Sequence, residues 1–238
     1  MRVVLSLGGS VLAPELDSGR VAAYANAIER LVDEGCELGV VVGGGGVARD
    51  YIGAARDLDA NEVQLDQLGI DVTRVNARLL ITALGPSVDP SPAHDYDEAA
   101  DAIRRGDVSV MGGVTPGQTT DAVAAALGEY VDADLLVYAT GADGIYDADP
   151  NVDESATQFA EMTPEELVEV IVPMSRDAGA SAPVDLLAAK LIQRAGMRTV
   201  VLDGHDPEAV ENAVLYGEHT GTDVVPAGGD EPTYWAQR

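Results

Sequence analysis

Short apolar runs alternate along the chain with longer stretches in which apolar residues recur every three or four positions. The short runs cover residues 2–7, 38–42, 108–111, 135–139 and 199–202. They are continuous in Val and Leu rather than alternating, which predicts strands buried on both faces. Helical spacing covers 18–34, 48–58, 62–84, 96–105, a helix starting over 121–127, then 164–171, 184–194 and 207–216. Ser18 is a candidate N-cap, and Gly35, Gly106 and Gly196 stand where helices should stop. Strand–helix alternation predicts an α/β fold, a three-layer αβα sandwich with a mainly parallel central sheet. The 238 residues show no internal repeat and no linker. Residues 1–226 are therefore expected to form one domain, and the aperiodic 227–238 a flexible C-terminal tail.

Charge changes the picture. Asp plus Glu number 41 against 14 Lys plus Arg, a formal net charge of −27 and a pI of about 4.1. The acid is spread along the chain, and Lys190 is the one lysine among those 14 basic residues. A nucleic-acid partner needs a basic footprint, and an anionic membrane surface repels this chain, so neither is expected. Dispersed carboxylates with depleted lysine predict adaptation to a high-salt interior, where a Debye length of about 3 Å at 1 M salt screens self-repulsion. The composition is 46% hydrophobic, enough for a packed core. Cys36 is alone, which forbids an intramolecular disulfide and suits a cytoplasmic setting. The apolar start is broken by Ser6, Gly8, Gly9 and Ser10 and reads as a buried strand and loop, not a leader. No stretch has the roughly 18 apolar residues of a membrane span.

Candidate chemistry sits at the carboxyl ends of the predicted strands, where open parallel sheets bind ligands. These ends read Gly8-Gly9-Ser10, Gly43-Gly44-Gly45-Gly46, Gly112-Gly113 followed by V-T-P-G-Q-T-T-D, and T-G-A-D-G. Glycine lets backbone N–H groups approach phosphate oxygens, and a following helix N-terminus adds positive dipole. One such loop marks only a turn; several on one sheet edge predict phosphate binding. No Walker motif G-x-x-x-x-G-K-[ST] occurs. Gly43, Gly45 and Ala48 fit G-x-G-x-x-A with Glu62 as ribose acid, a weak match because four consecutive glycines satisfy many patterns. A calcium loop from Asp147 fails, since Val152 and Gln158 stand where Gly and Glu are required. His94, His205 and His219 lack metal-ligand spacing.

Six segments together carry a resemblance: R-V-V-L-S-L-G-G-S-V-L, V-V-V-G-G-G-G-V-A-R-D-Y-I, L-G-I-D-V-T-R-V-N-A-R-L-L, M-G-G-V-T-P-G-Q-T-T-D-A-V-A-A, T-G-A-D-G-I-Y-D-A-D-P and V-D-L-L-A-A-K-L-I. In this order, over about residues 1–225, the chain resembles the amino-acid-kinase superfamily and, within it, the archaeal UMP kinases. The resemblance implies phosphoryl transfer from ATP to UMP in pyrimidine nucleotide biosynthesis, with Mg²⁺ and no covalent enzyme intermediate. It implies a homohexamer, a trimer of dimers. Gly9 and Ser10 match the first ATP-phosphate loop, and Gly45 and Arg49 match donor-side positions of the second. Gly44 matches an acceptor contact, and Asp66 the acid that reads the nucleoside. Val114, Thr115, Pro116, Gly117, Gln118, Thr119 and Thr120 match the acceptor loop. Thr140, Tyr146 and Asp149 match the adenosine side. Asp121 and Arg49 match the catalytic positions, Asp121 as the acid that organises Mg²⁺ or the basic groups around the transferred phosphoryl.

Plainer readings stand beside these. Thr140 also reads as a turn, Tyr146 as packing, Asp121 as an N-cap and Lys190 as a packing or snorkelling residue. Relatives carry a lysine in the first loop, where this chain has Gly9 and Ser10, and Gly46 replaces a lysine or polar residue of other relatives. Arg49, Mg²⁺ or backbone amides must then carry more charge. Asp185 falls where acetylglutamate kinases have a basic residue, against that activity. An isopentenyl phosphate kinase of the same fold would resemble H-G-G-G-S-F-G-H at the glycine loop. Here Val42 precedes the loop and no histidine follows. A non-catalytic nucleotide sensor is the rival outside enzymes.

Overall fold

In the computed structural model, which describes residues 1–85, 88–150, 152–153, 155–174, 183–229 and 232, the run Arg2–Leu7 forms strand β1 inside a seven-stranded sheet. The other strands are β2 (Glu37–Val42), β3 (Ser109–Met111), β4 (Leu135–Thr140), β5 (Glu161–Met162), β6 (Thr199–Asp203) and β7 (Thr222–Val224). The spatial order is β3-β2-β1-β4-β6-β7-β5, and every pairing is parallel except β6 with β7. The chain runs outward from β1 through β2 to β3, then returns to β4 on the other side. The reversal point of the strand order therefore lies between β1 and β4, the ligand crevice of open α/β sheets.

The helices are α1 (Gly9–Leu12), α2 (Ser18–Asp33), α3 (Gly45–Arg56), α4 (Glu62–Ala83), α5 (Tyr96–Arg105), α6 (Thr120–Tyr130), α7 (Pro164–Met174), α8 (Leu186–Ala195) and α9 (Pro207–Tyr216). Side-chain alternation splits the sheet into two cores. Val3, Leu5 and Leu7 pack with Tyr24, Ile28 and Leu31 of α2, Leu80 of α4 and Val214 of α9. Val4, Leu136 and Tyr138 pack with Ile103 of α5, Leu127 of α6, Leu167 of α7 and Ile192 of α8. Helices thus cover both faces, as the alternation predicted. Each fully buried Leu or Ile among them contributes about 1.5–3 kcal/mol.

The ends differ from expectation where side chains compete for the cap. Asp17, not Ser18, caps α2, accepting from the Gly19 N–H at 2.8 Å. Residues 9–12, expected as loop, form the helical turn α1. The α3 helix begins at Gly45, three residues earlier than its apolar spacing suggests, because the two glycines at its start carry no apolar side chain to mark the turn. β5 and β7, two and three residues long, are too short to leave a periodicity. Helix α4 stops at Ala83 and α8 begins at Leu186, each within two residues of prediction. Of the expected tail, 230, 231 and 233–238 lie outside the described residues.

Candidate active site

The glycine loops line one edge of the sheet in the order fixed by the strands. From the outside inward come the loops after β3 (112–119), after β2 (43–44) and after β1 (residue 8), then the loop after β4 (141–150). Adjacent strands lie about 4.8 Å apart, so β3 to β4 spans roughly 14 Å. That distance leaves room for two nucleotides to approach through their phosphates.

At the centre the first two loops touch backbone to backbone. A Cβ on Gly9 would stand 2.3 Å from the Gly45 nitrogen and 2.4 Å from the Gly43 oxygen. A Cβ on Gly45, whose φ is +63°, would stand 2.6 Å from the Gly9 carbonyl carbon. Only glycine fits either place. Gly46 is different: nothing lies within 4 Å of its missing Cβ. The space that a side chain would occupy there is open, and the chain leaves it to the helix N-terminus. Arg49, one turn into α3, is exposed, whereas Arg56 at the far end of the same helix pairs with Glu62 at 3.5 Å. No ion pair engages Arg49 among the described residues.

Helix α4 holds the side expected to take the acceptor. Asn76 donates to the carbonyls of Gly43 (2.9 Å) and Gly44 (3.3 Å). Thr73 accepts from the Gly113 N–H at 2.7 Å while donating to the Ile70 carbonyl at 2.6 Å. The Arg74 guanidinium donates to the Gly113 carbonyl at 3.2 Å. A Cβ on Gly112 would lie 2.4 Å from the Thr73 hydroxyl, so helix and loop are in direct contact. Asp66, near the start of α4, accepts from the Gly117 N–H at 2.8 Å and so clasps the expected acceptor loop. Thr119 caps α6 by accepting from the Ala122 N–H at 3.1 Å. That role belongs to Thr119 rather than to Asp121, which sits in the first turn.

Asp121 lies in the first turn of α6, half-buried against the sheet. Its carboxylate accepts from the Ser6 hydroxyl at 3.4 Å, and its carbonyl accepts from the Tyr138 hydroxyl at 2.8 Å. Ser6 and Tyr138 are register partners across β1 and β4, so the sheet presents both hydroxyls at one point. Burial first, and the neighbouring Asp185 carboxylate second, push Asp121 up to about 7, against a smaller lowering by Ser6. Both oxygens of Asp185 are engaged: one accepts from Leu187 N–H (2.6 Å) and Ala188 N–H (3.0 Å), the other from the Thr119 hydroxyl. Of the two adjacent carboxylates, Asp121 is the one with lone pairs to spare.

On the side expected to take the donor lies a cleft of about 180 Å³ lined by residues that include Gly141, Asp143, Tyr146, Asp149 and Met174. Thr140 closes its own turn, accepting from the Ala142 N–H at 2.9 Å. The Tyr146 hydroxyl donates to the Asp143 carboxylate, 3.0 Å from each oxygen. Gln158 braces the turn by donating to the carbonyls of Asp143 and Thr220, both at 2.9 Å.

Gly9, Ser10, Gly44, Gly45 and Arg49, the 114–120 loop, Asp121 and the 140–149 loop thus share one edge of the sheet. Asp66 reaches that edge through Gly117. Lys190 is exposed on α8 and donates to Gln193 within its own helix at 3.2 Å. The residue-type reading missed Thr73, Asn76, Ser6 and Tyr138, and treated Asp185 only as a departure from another activity. Ser6 left a signal, a polar residue inside an apolar strand, since buried hydroxyls require partners. Among the described residues no cluster of three or more His, Cys, Asp or Glu side chains is arranged to hold a metal. One open carboxylate is nonetheless the donor set that Mg²⁺ commonly uses, because nucleotide phosphates and water supply its remaining ligands.

Glycine loops crossing the reversal point of a parallel sheet define a phosphate-handling α/β protein. Residues 1–203 match the family described as the Amino acid kinase family, and the chain belongs to it. Within that family it is 73% identical over 235 residues to the uridylate kinase of Halorubrum lacusprofundi, covering 99% of this chain and 98% of that protein. It is 68% identical over 236 residues to the uridylate kinase of Haloquadratum walsbyi, covering 99% and 98%. The crystal structure of uridylate kinase from Archaeoglobus fulgidus superposes with a TM-score of 0.84 at 44% identity, covering 94% of this chain and all of that one. The first two relatives come from halophilic archaea, in keeping with the acidic surface. No described helix is long and apolar enough to cross a membrane.

Proposed function

We propose that the protein is a UMP kinase that transfers the γ-phosphoryl of ATP to UMP, giving ADP and UDP. The observation that carries this reading is near-full-length identity to uridylate kinases together with glycine loops in one spatial order along the sheet edge. UMP enters on the β2–β3 side, under the 114–120 loop and beside Asp66. ATP enters on the β4 side, its base in the cleft of Tyr146 and Asp149. Gly9, Ser10, Gly44 and Gly45 offer backbone N–H groups to the phosphates between them, with the α3 N-terminus behind. Arg49 adds the mobile positive charge that the absent loop lysine would supply. Catalysis is positioning and charge stabilisation in an in-line transfer. Asp121 would hold Mg²⁺ together with the nucleotide phosphates, and the ion would supply charge neutralisation. Ser6 and Tyr138 fix Asp121 in place before either substrate arrives.

The protein works in the cytoplasm, in the synthesis of UTP and CTP, as a homohexamer built from dimers. Light scattering in molar KCl reads that assembly directly. An acceptor panel tests the main reading. UMP is expected to exceed CMP, AMP and GMP in kcat/KM by at least tenfold, with no turnover of isopentenyl phosphate. Comparable rates with CMP would indicate a general nucleotide kinase. Nucleotide binding without ADP release would indicate a sensor.

A further inference from the structure

We propose that Asp185 is a positioning residue for phosphoryl transfer, locking the end of the acceptor loop to helix α8 beside Asp121. The inference rests on the UMP kinase reading for the identity of that loop. Its physical basis is the bonding of one carboxylate. One oxygen of Asp185 caps α8 through the Leu187 and Ala188 N–H groups. The other accepts from the hydroxyl of Thr119, 66 residues away in sequence. Thr119 is in turn the N-cap of α6, through Ala122. A single side chain therefore ties together the N-termini of two packed helices, and the residue two places beyond Thr119 is Asp121.

Capping alone does not explain an aspartate here. Asn and Ser cap a helix about as well. A carboxylate at this point stands next to the Asp121 carboxylate and faces two incoming polyanions, an arrangement that electrostatics disfavours. What a carboxylate adds is a second acceptor oxygen for the Thr119 hydroxyl while the first remains on the cap. Asparagine cannot do both in the same way, because its second terminal atom is a donor. The latch sets where the 114–120 loop ends, and with it where the acceptor phosphate meets Asp121.

The test compares Asp185→Ala, Asp185→Asn, Thr119→Val and the double variant Asp185→Ala/Thr119→Val. All are assayed in molar KCl with both substrates varied and with UMP binding followed by calorimetry. Asp185→Ala is expected to lower kcat/KM for UMP by about 10- to 100-fold, the range for losing a hydrogen bond to a charged group. The KM for ATP should stay within about twofold. UMP should bind more weakly in the calorimeter, a readout independent of turnover. Asp185→Asn keeps the cap and can meet Thr119 only as a donor, reversing the polarity of the latch. Its Tm should therefore remain near wild type, while its UMP defect is smaller than that of Asp185→Ala but measurable. The double variant should lose less than the product of the two single effects, because both remove the shared Asp185–Thr119 bond while each also loses its own helix cap. If Asp185→Asn has wild-type kinetics while Asp185→Ala loses only Tm, Asp185 is a cap and the proposal is overturned. Equal losses in UMP and ATP parameters overturn it as well. A wild-type protein that leaves UMP unphosphorylated sinks the functional reading, and this proposal with it.

Discussion

At the end expected to take the acceptor, bonds that cross the molecule reach the mouth of the loop; at the end expected to take the donor, such bonds hold the foot of the loop, from Gln158 to the Thr220 carbonyl and from the Ile145 N–H to Thr222, while Thr140 and Tyr146 bond within their own turn. Asn76, Thr73 and Arg74 reach from α4 to carbonyls and N–H groups 32 to 40 residues away. Thr140 and Tyr146 bond to residues two and three positions off. A long-range anchor fixes a loop relative to the sheet, whereas a turn fixes a loop only relative to itself. The loop mouth expected to take the acceptor is thus preorganised by helix α4. On the expected donor side Thr140 and Tyr146, tied within their own turn, are left to adjust around a base.

Asp121, between the halves, gives the largest expected effect. Asp121→Asn should lower kcat by about 10²–10³, the typical cost of one lost electrostatic contact to a transition state. Its effect on the unliganded fold runs the other way. The folded state holds this proton up to about 7, against an ordinary value of 3.8, so the free protein loses stability as pH climbs through that window. The variant should remove that slope and be more stable at pH 8 by up to about 4 kcal/mol, at 1.36 kcal/mol per unit. Stopped-time kinetics and melting curves at pH 5 and 8 check both. An inactive variant that melts lower at pH 8 would contradict the burial argument.

Titration of the same group sharpens the picture in the wild type. The pH profile of kcat/KM reports free-enzyme groups, and it should rise with pH through a limb near 7 as Asp121 ionises. The activity at pH 6 is then expected to be about tenfold below the plateau. A flat profile from 5.5 to 8 would separate Asp121 from the rate.

Next in size is the acceptor anchor. Asn76→Ala leaves the Gly43 and Gly44 carbonyls without that donor, at a cost of about 1–3 kcal/mol. The KM for UMP should rise roughly tenfold, that for ATP about twofold. Salt refines this test. Both proteins should melt higher in 2 M than in 0.1 M KCl, because a shorter Debye length relieves the −27 charge. The difference between them should not change, because the lost bonds are buried. An anchor whose contribution fades with salt would be electrostatic instead.

The smallest effect belongs to the donor half. Tyr146→Phe loses one hydroxyl contact made within its own turn. The KM for ATP should change less than threefold and the KM for UMP not at all. A tenfold loss would show the donor loop to be as tightly built as the acceptor side, and would erase the contrast.

Local and periodic signals made most of the frame legible in the sequence. Continuous Val and Leu runs marked β1, β2, β4 and β6, and glycines after helical spacing marked the ends of α5 and α8. The phosphate-binding edge was legible because glycine is needed wherever two backbones touch, as at Gly9 and Gly45. Thr73 and Asn76 were not, because a polar residue inside an amphipathic helix looks like solvent face until the facing loop is known. Ser6 and Tyr138 needed the register of β1 against β4 before they could be seen to converge on Asp121. Asp185 needed the placement of α8, which no spacing along the chain encodes.

The seam where Gly9 meets Gly43 and Gly45 also constrains how this protein can change. No side chain can be introduced at Gly9 or Gly45 without parting two main chains that stand closer than any Cβ allows. A variant there moves the donor and acceptor loops together, so it cannot trade one substrate for another and loses both. New specificity must instead arise on the free perimeter, at Gly46, where a side chain meets nothing, or in the exposed part of the 114–118 loop. A laboratory evolution experiment that selects for another acceptor should accumulate its changes at those places and leave the seam untouched.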